Sequence, residues 1–314
     1  MVGSHFIELW AITCYFNPVG YRRRLENYRR FRQHLKLPLV AVELSCDEKF
    51  QLGSADAEIL VQLHSPAILW QKERLLNVAL KSLPDVCKKV AWLDCDILFE
   101  SNEWVERTSR ALDQFALVHL FSERNELPMD FAPDNPSSWK ATLESQSVLC
   151  RLAEGEMIPK DVVMPGLVSR GSTSGLAWAS RRDILEEHGL YDACVVGSGN
   201  IAVLSAALGV HDYFAQALEM NARRTEHYLA WANPYFNRIQ GRVSHIPGRV
   251  FHLWHGDLDD RRHQARHRPF AQFDFDPYTD IALDRNGCWR WNSSKTEMHT
   301  FVKHYFESRK EDGS

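Results

Sequence analysis

Two hydrophobic periods take turns along the first half of the chain. Residues 9–16 are a β-branched and aromatic run closed by Asn17-Pro18, which predicts a strand and a turn. Tyr21, Leu25, Tyr28, Phe31 and Leu35 then recur at helical spacing. Arg22, Arg23, Arg24, Arg29 and Arg30 fall mostly on the other faces and, diluted by Glu26, read as a solvated helix surface. Residues 39–44 and 58–63 predict short strands. Residues 69–83 predict a helix with Leu69, Leu76, Leu80 and Leu83 as its stripe and Pro84 beyond its end. A strand over 89–99, a helix over 104–115 and a strand over 116–121 follow. This alternation implies βαβ units: an α/β fold with a mostly parallel sheet and helices on both faces.

Later segments are less regular. Residues 127–136 read as a polar, proline-rich surface loop, and residues 166–175, rich in Gly and Ser, as a mobile stretch near a site. Helices are predicted over 181–188, stopped by Gly189, and over 201–208. Beyond Phe251 the chain is dense in His, Arg and Asp. With no repeat and no linker, the division expected is a catalytic domain over 1–256 and a helical or irregular C-terminal extension over 257–314 packed on it.

Composition narrows the class. The 314 residues are 45% apolar and 25% charged, which excludes disordered and low-complexity chains. A net charge of −4 argues against extensive nucleic-acid binding or a broad footprint on an acidic membrane. Seven scattered cysteines, none at C-x-x-C spacing, predict free thiols in a reducing compartment. Residues 1–10 lack a basic start and carry Glu8 inside their apolar run, and no stretch approaches the ~20 apolar residues of a membrane span. The expected localisation is cytoplasmic.

The most informative stretch is Val90-Ala91-Trp92-Leu93-Asp94-Cys95-Asp96-Ile97-Leu98-Phe99. Alternation along one strand would put Asp94 and Asp96 on the same side at its carboxyl end, where open α/β sheets bind ligands. Two such carboxylates repel unless a proton or cation sits between them, and a divalent ion with oxygen ligands resolves the repulsion. The plainer alternative is a strand running into a polar turn.

This segment resembles the Asp-x-Asp motif of nucleotide-sugar-dependent glycosyltransferases with the GT-A fold, and its place after three strands fits that family. The resemblance implies Mn²⁺ (or Mg²⁺) holding the diphosphate of a nucleoside-diphosphate sugar, a UDP-sugar above others. Asp96 would be the main metal ligand and Asp94 would touch metal or ribose. His255-Gly256, followed by Arg261 and Arg262, resembles the family's late histidine ligand with its basic diphosphate-binding neighbours; a packed histidine beside Trp254 is the alternative. His263 and His267, spaced i, i+4, read as a solvated or salt-bridged face. Trp70, Lys72 and Asn77, on the helix before the motif, would border the nucleotide, with a core-edge Trp and a snorkelling Lys as the alternative. Thr13 and Tyr15 would lie near the base, and Glu43 near base or ribose.

A Gly197-Ser198-Gly199-Asn200 turn stands about 100 residues after the motif, where inverting members carry an acidic general base. Asn200 cannot accept a proton. Either Asp192 or another acid is the base, or the reaction is retaining and Asn200 orients the sugar, or Asn200 caps the next helix. The expected function is a metal-dependent glycosyltransferase whose acceptor (glycan, lipid, protein or modified nucleobase) is unassigned. Two alternatives stand beside it. One is a nucleotidyltransferase on the same sheet, although Phe16-Asn17-Pro18-Val19-Gly20 carries only one glycine. The other is a glycosyltransferase-like binding module without catalysis.

Overall fold

A computed structural model describes residues 8–132, 140–257, 260 and 266–313. In chain order the strands of its two main sheets are β1 (Leu9–Phe16), β2 (Leu39–Ser45), β3 (Ile59–His64), β4 (Lys89–Leu93), β5 (Ile97–Phe99) and β6 (Leu117–His119), then β7 (Glu123–Glu126), β8 (Leu143–Ser147), β9 (Ser172–Thr173), β10 (Ala177–Arg181), β11 (Val243–His245) and β12 (Arg249–His252). The central sheet runs β11-β6-β10-β4-β1-β2-β3. Within it β10 is antiparallel to both neighbours and every other pair is parallel. A second, mixed sheet runs β5-β12-β7-β8-β9.

Both faces of the central sheet are buried, which explains why its strands are almost continuously apolar. Ile12, Val40, Val42, Val90 and Trp92 face the helix Lys72–Lys81, which contributes Leu75, Leu76, Ala79 and Leu80 to the same core. Ala11, Leu39, Ala41, Ala91 and Leu93 face the opposite way, onto Tyr28 and Phe31 of the helix Arg22–His34. Each fully buried Leu contributes roughly 1.5–3 kcal/mol, so this layer is what fixes the carboxyl ends of β1 and β4 in place.

Three local expectations are corrected. The strand expected over 89–99 is two strands in different sheets. β4 ends at Leu93, and β5 leaves to pair antiparallel with β12. Two ionised carboxylates are too costly to hold side by side on a buried strand, so the chain turns between them. The arginine-rich helix is not solvated all round, because Arg24 is half-buried and its Nη2 donates to Glu311 at 3.1 Å. The strand expected over 116–121 covers only Leu117–His119, after which the chain leaves the central sheet for β7 of the second.

The helix Arg182–His188 does end at Gly189, whose φ of 62° suits a glycine. All seven cysteines are unpaired. Among the described residues no helix is long and apolar enough to cross a membrane.

Candidate metal centre and its crevice

Asp94 and Asp96 frame the turn between the two sheets, and they face different partners. Asp94 donates its N–H to Leu176 O at 2.7 Å, and its carboxylate pairs with Lys72 Nζ from the start of the helix Lys72–Lys81. Burial works against the ammonium charge of Lys72, but Asp94 and Glu73 outweigh it and raise its pKa.

Asp96 turns toward β12. Its Oδ2 lies 3.1 Å from His255 Nε2, its Oδ1 lies 3.6 Å from His252 Nε2, and the two Nε2 atoms stand 3.2 Å apart. Burial opposes ionisation of Asp96, yet the His255 and His252 rings and Arg24 hold it well below the usual carboxylate range. Ligand atoms ~2.1 Å from one ion stand roughly 3.0 Å apart at right angles and roughly 3.4 Å apart at tetrahedral angles. One carboxylate and two imidazole nitrogens thus come within 4.8 Å of one another, close to these separations, and carboxylate with imidazole suits a divalent transition metal. The residues fit the ion.

Outer partners orient these side chains. His252 Nδ1 lies 2.9 Å from both oxygens of Glu126, so its N–H is committed there and its Nε2 lone pair is free to face Asp96. Glu126 pairs with Arg124, whose Nη1 donates to Thr173 Oγ1 at 3.1 Å. His255 Nδ1 faces Glu311 Oε1 at 3.8 Å. Glu311 is fully buried between Arg24 and Arg309. His252 and Glu126 were missed by sequence reasoning; the spacing of His252 and His255 at the end of an apolar strand was the available signal.

A basic, aromatic wall continues from this centre. Arg266 and Arg309 both lie 5.7 Å from the Trp70 ring, and Arg266 donates to the Tyr305 hydroxyl. Both guanidiniums are buried, and among the described residues Arg266 Nε and Arg309 Nη1 have no hydrogen-bond partner. Gly197 permits this packing, since a Cβ there would collide with Arg266 Nη2. Arg261, the sequence's candidate for the diphosphate, lies outside the described residues, as do Arg262 and His263. His267 is not on a solvated face: it is buried, with Nε2 2.8 Å from Ser198 Oγ.

Other candidates are engaged within the protein. Thr13 Oγ1 donates to Leu93 O at 2.7 Å, and Tyr15 OH donates to Gln51 Oε1 at 2.6 Å. Glu43 accepts from the Gln51 N–H at 2.6 Å and from Gln62 Nε2 at 2.9 Å. Asn77 holds the loop at Leu190, accepting that residue's N–H at 2.8 Å and donating to its carbonyl at 2.9 Å.

Asp192 is half-buried between Arg74 Nη1 at 3.0 Å and Asn77 Nδ2 at 3.1 Å; desolvation raises its pKa against the pull of these partners. Asn200 does not cap the helix Gly199–Ala207 but lies in its first turn. Its Nδ2 sits 3.5 Å from where a Gly175 Cβ would stand. The capping position is Ser198, at a φ of 80° that costs a non-glycine residue of order 1–3 kcal/mol.

The carboxyl that reaches this turn comes from elsewhere. Glu73 packs on Gly199, where any Cβ would collide with it. Burial pushes the Glu73 pKa up to about 7, against the pull of Lys72.

No family profile matches the sequence, and no curated protein matches it. Among solved structures the chain is similar to a mannosyltransferase from Pyrobaculum calidifontis in complex with GDP-Man and Mn²⁺, at 13% identity and a TM-score of 0.43. That match covers 85% of this chain and 63% of the other, so the chain spans less than two thirds of that protein's length. It is also similar to glucosyl-3-phosphoglycerate synthase from Mycobacterium tuberculosis in complex with Mn²⁺, UDP and phosphoglyceric acid, at 12% identity, a TM-score of 0.37 and coverage of 88% and 81%. A 4-diphosphocytidyl-2C-methyl-D-erythritol synthase from Anaerococcus prevotii follows at 12% identity, a TM-score of 0.31 and coverage of 76% and 88%. The chemistry of the site is carried by its own residues and distances.

Proposed function

We propose that this protein is a divalent-metal-dependent glycosyltransferase of the GT-A type that uses a nucleoside-diphosphate sugar. The observation that carries this reading is the convergence of Asp96, His252 and His255 beside the carboxyl end of β4, next to the buried guanidiniums of Arg266 and Arg309.

Asp96, His252 and His255 hold the ion, and Asp94 pairs with Lys72 rather than joining them. When bound, the ion neutralises negative charge on the diphosphate as it leaves. Arg266 supplies fixed positive charge toward that diphosphate at no cost of rearrangement, and Lys72 and Arg309, each already paired with a carboxylate, add N–H donors beside it. Trp70 and Tyr305 pack against both guanidiniums and limit how they move. Burial keeps water from screening these charges and strengthens each of them. Glu73, packed on Gly199, and Asn200, next along the chain with Nδ2 beside Gly175, would orient the acceptor hydroxyl. Of the two, only Glu73 can accept a proton. The base of the nucleotide faces the ends of β1 and β2.

Calorimetry tests the reading. Nucleoside-diphosphate sugars, UDP-sugars first, are titrated into the protein with Mn²⁺ and with excess chelator. The expected result is a loss of affinity of at least about tenfold in chelator. Equal affinity in both would refute metal-dependent donor binding. Release of nucleoside diphosphate identifies sugar transfer, whereas release of pyrophosphate from a nucleoside triphosphate would identify a nucleotidyltransferase.

A further inference from the structure

Residues 309–312 pass between the first helix and the histidine pair, with Arg309 and Glu311 buried and Lys310 exposed. Asp312 accepts the N–H groups of Arg22 and Arg23 at 3.1 and 2.8 Å, capping a helix whose own capping position, Tyr21, supplies no side-chain bond. The Tyr21 hydroxyl in turn donates to Glu307 O at 2.9 Å. Gly256, directly after His255, has a φ of 91°, and a Cβ there would lie 2.5 Å from Arg309 O. The glycine is what lets this segment pass so close to the ring. Glu311 then enters with no exposure, bound by Arg24 and Arg309, with Oε1 3.8 Å from His255 Nδ1, an ionic contact longer than the hydrogen bond of Glu126 to His252.

We propose that Glu311 is a positioning residue of the metal site, fixing the ring and tautomer of His255 as Glu126 fixes those of His252. The inference rests on the reading of Asp96, His252 and His255 as metal ligands. Its physical basis is the outer carboxylate that commits one ring nitrogen as a donor and leaves the other for the ion. The same carboxylate ties the site to the first helix, so metal affinity and the seating of residues 309–312 are one property.

Charge balance alone is the rival account, since Glu311 also neutralises Arg24 and Arg309. The test measures the Mn²⁺ dissociation constant by calorimetry well below each variant's Tm. Glu311→Gln is expected to weaken Mn²⁺ binding ~10–100-fold. Glu311→Asp keeps the charge for both arginines but draws it back from His255, and should weaken Mn²⁺ severalfold at near-native Tm. In a His255→Ala background Glu311→Gln should add less than about a twofold loss, because the residue acts through that ring.

A lowered Tm with Mn²⁺ affinity within about twofold of wild type for both Glu311 variants would overturn the inference and leave charge balance. Additive losses in the His255→Ala background would overturn it as well. Wild type that binds no Mn²⁺ would overturn the metal reading and this inference together, a result distinct from either of those.

Discussion

The two walls of the crevice carry the same residue type two positions apart and use it differently. On one wall Asp94 closes an ion pair with Lys72, 22 residues away in sequence, and the pair is neutral before any ligand arrives. On the other, Asp96 meets two imidazoles, and the bonds that orient them span 126 residues from Glu126 to His252 and 287 from Arg24 to Glu311. A carboxylate that already has a cation positions a neighbour. One whose other partners are ring nitrogens turned toward the same point leaves room for a cation. The environment, not the side chain, assigns the role.

The largest effect should separate the walls directly. Asp96→Asn keeps shape and removes the charge facing the ion, and should cost roughly 10²–10⁴-fold in turnover with a matching loss of Mn²⁺ affinity and an intact fold. Release of nucleoside diphosphate and Mn²⁺ calorimetry check this. Near-normal transfer by a folded Asp96→Asn variant would remove it from the metal site.

Lys72→Met sharpens the contrast from the other side. It should weaken nucleoside-diphosphate binding about tenfold, the scale of one charge-assisted bond, while Mn²⁺ affinity stays within about twofold. A fall in Mn²⁺ affinity as large as that of Asp96→Asn would mean that both walls hold the ion.

The smallest effect concerns the floor between them. The Glu73 carboxyl is pushed from the ordinary range up to about 7 by burial, with Lys72, Asp94 and Asp192 as its charged neighbours. Between the unfolded pKa and 7 the native state binds more protons than the unfolded chain, so stability falls as pH rises through that window. Glu73→Gln should therefore raise Tm at pH 8 by the equivalent of about 1–2 kcal/mol and change it little at pH 5. Thermal melts at the two pH values check it, and an equal shift at both would mean that Glu73 titrates normally.

What could be read in advance tracks the range of the interactions involved. The helical stripe over 69–83 and the apolar runs of β1, β2 and β4 announce themselves because each depends on residues a few positions apart. The acidic turn was legible as chemistry, but not the opposite aims of its two carboxylates. His255 was legible from its place before Gly256, whereas His252 looked like one more histidine. The capping of the first helix by Asp312 left no local trace at all.

The sequence by itself therefore determined the period-two and period-3.6 elements, the parallel sheet they must form, and an acidic turn at its carboxyl end. Only the tertiary structure decided which groups meet there. β12 lies between β5 and β7, bringing His252 to Glu126 and Asp96. Gly199 admits Glu73, and Gly256 admits residues 309–311. These are pairings between distant segments. Local periodicity fixes which face of a strand or helix is buried, but not which other segment buries it, and every ligand, orienting carboxylate and buried guanidinium here depends on that second choice.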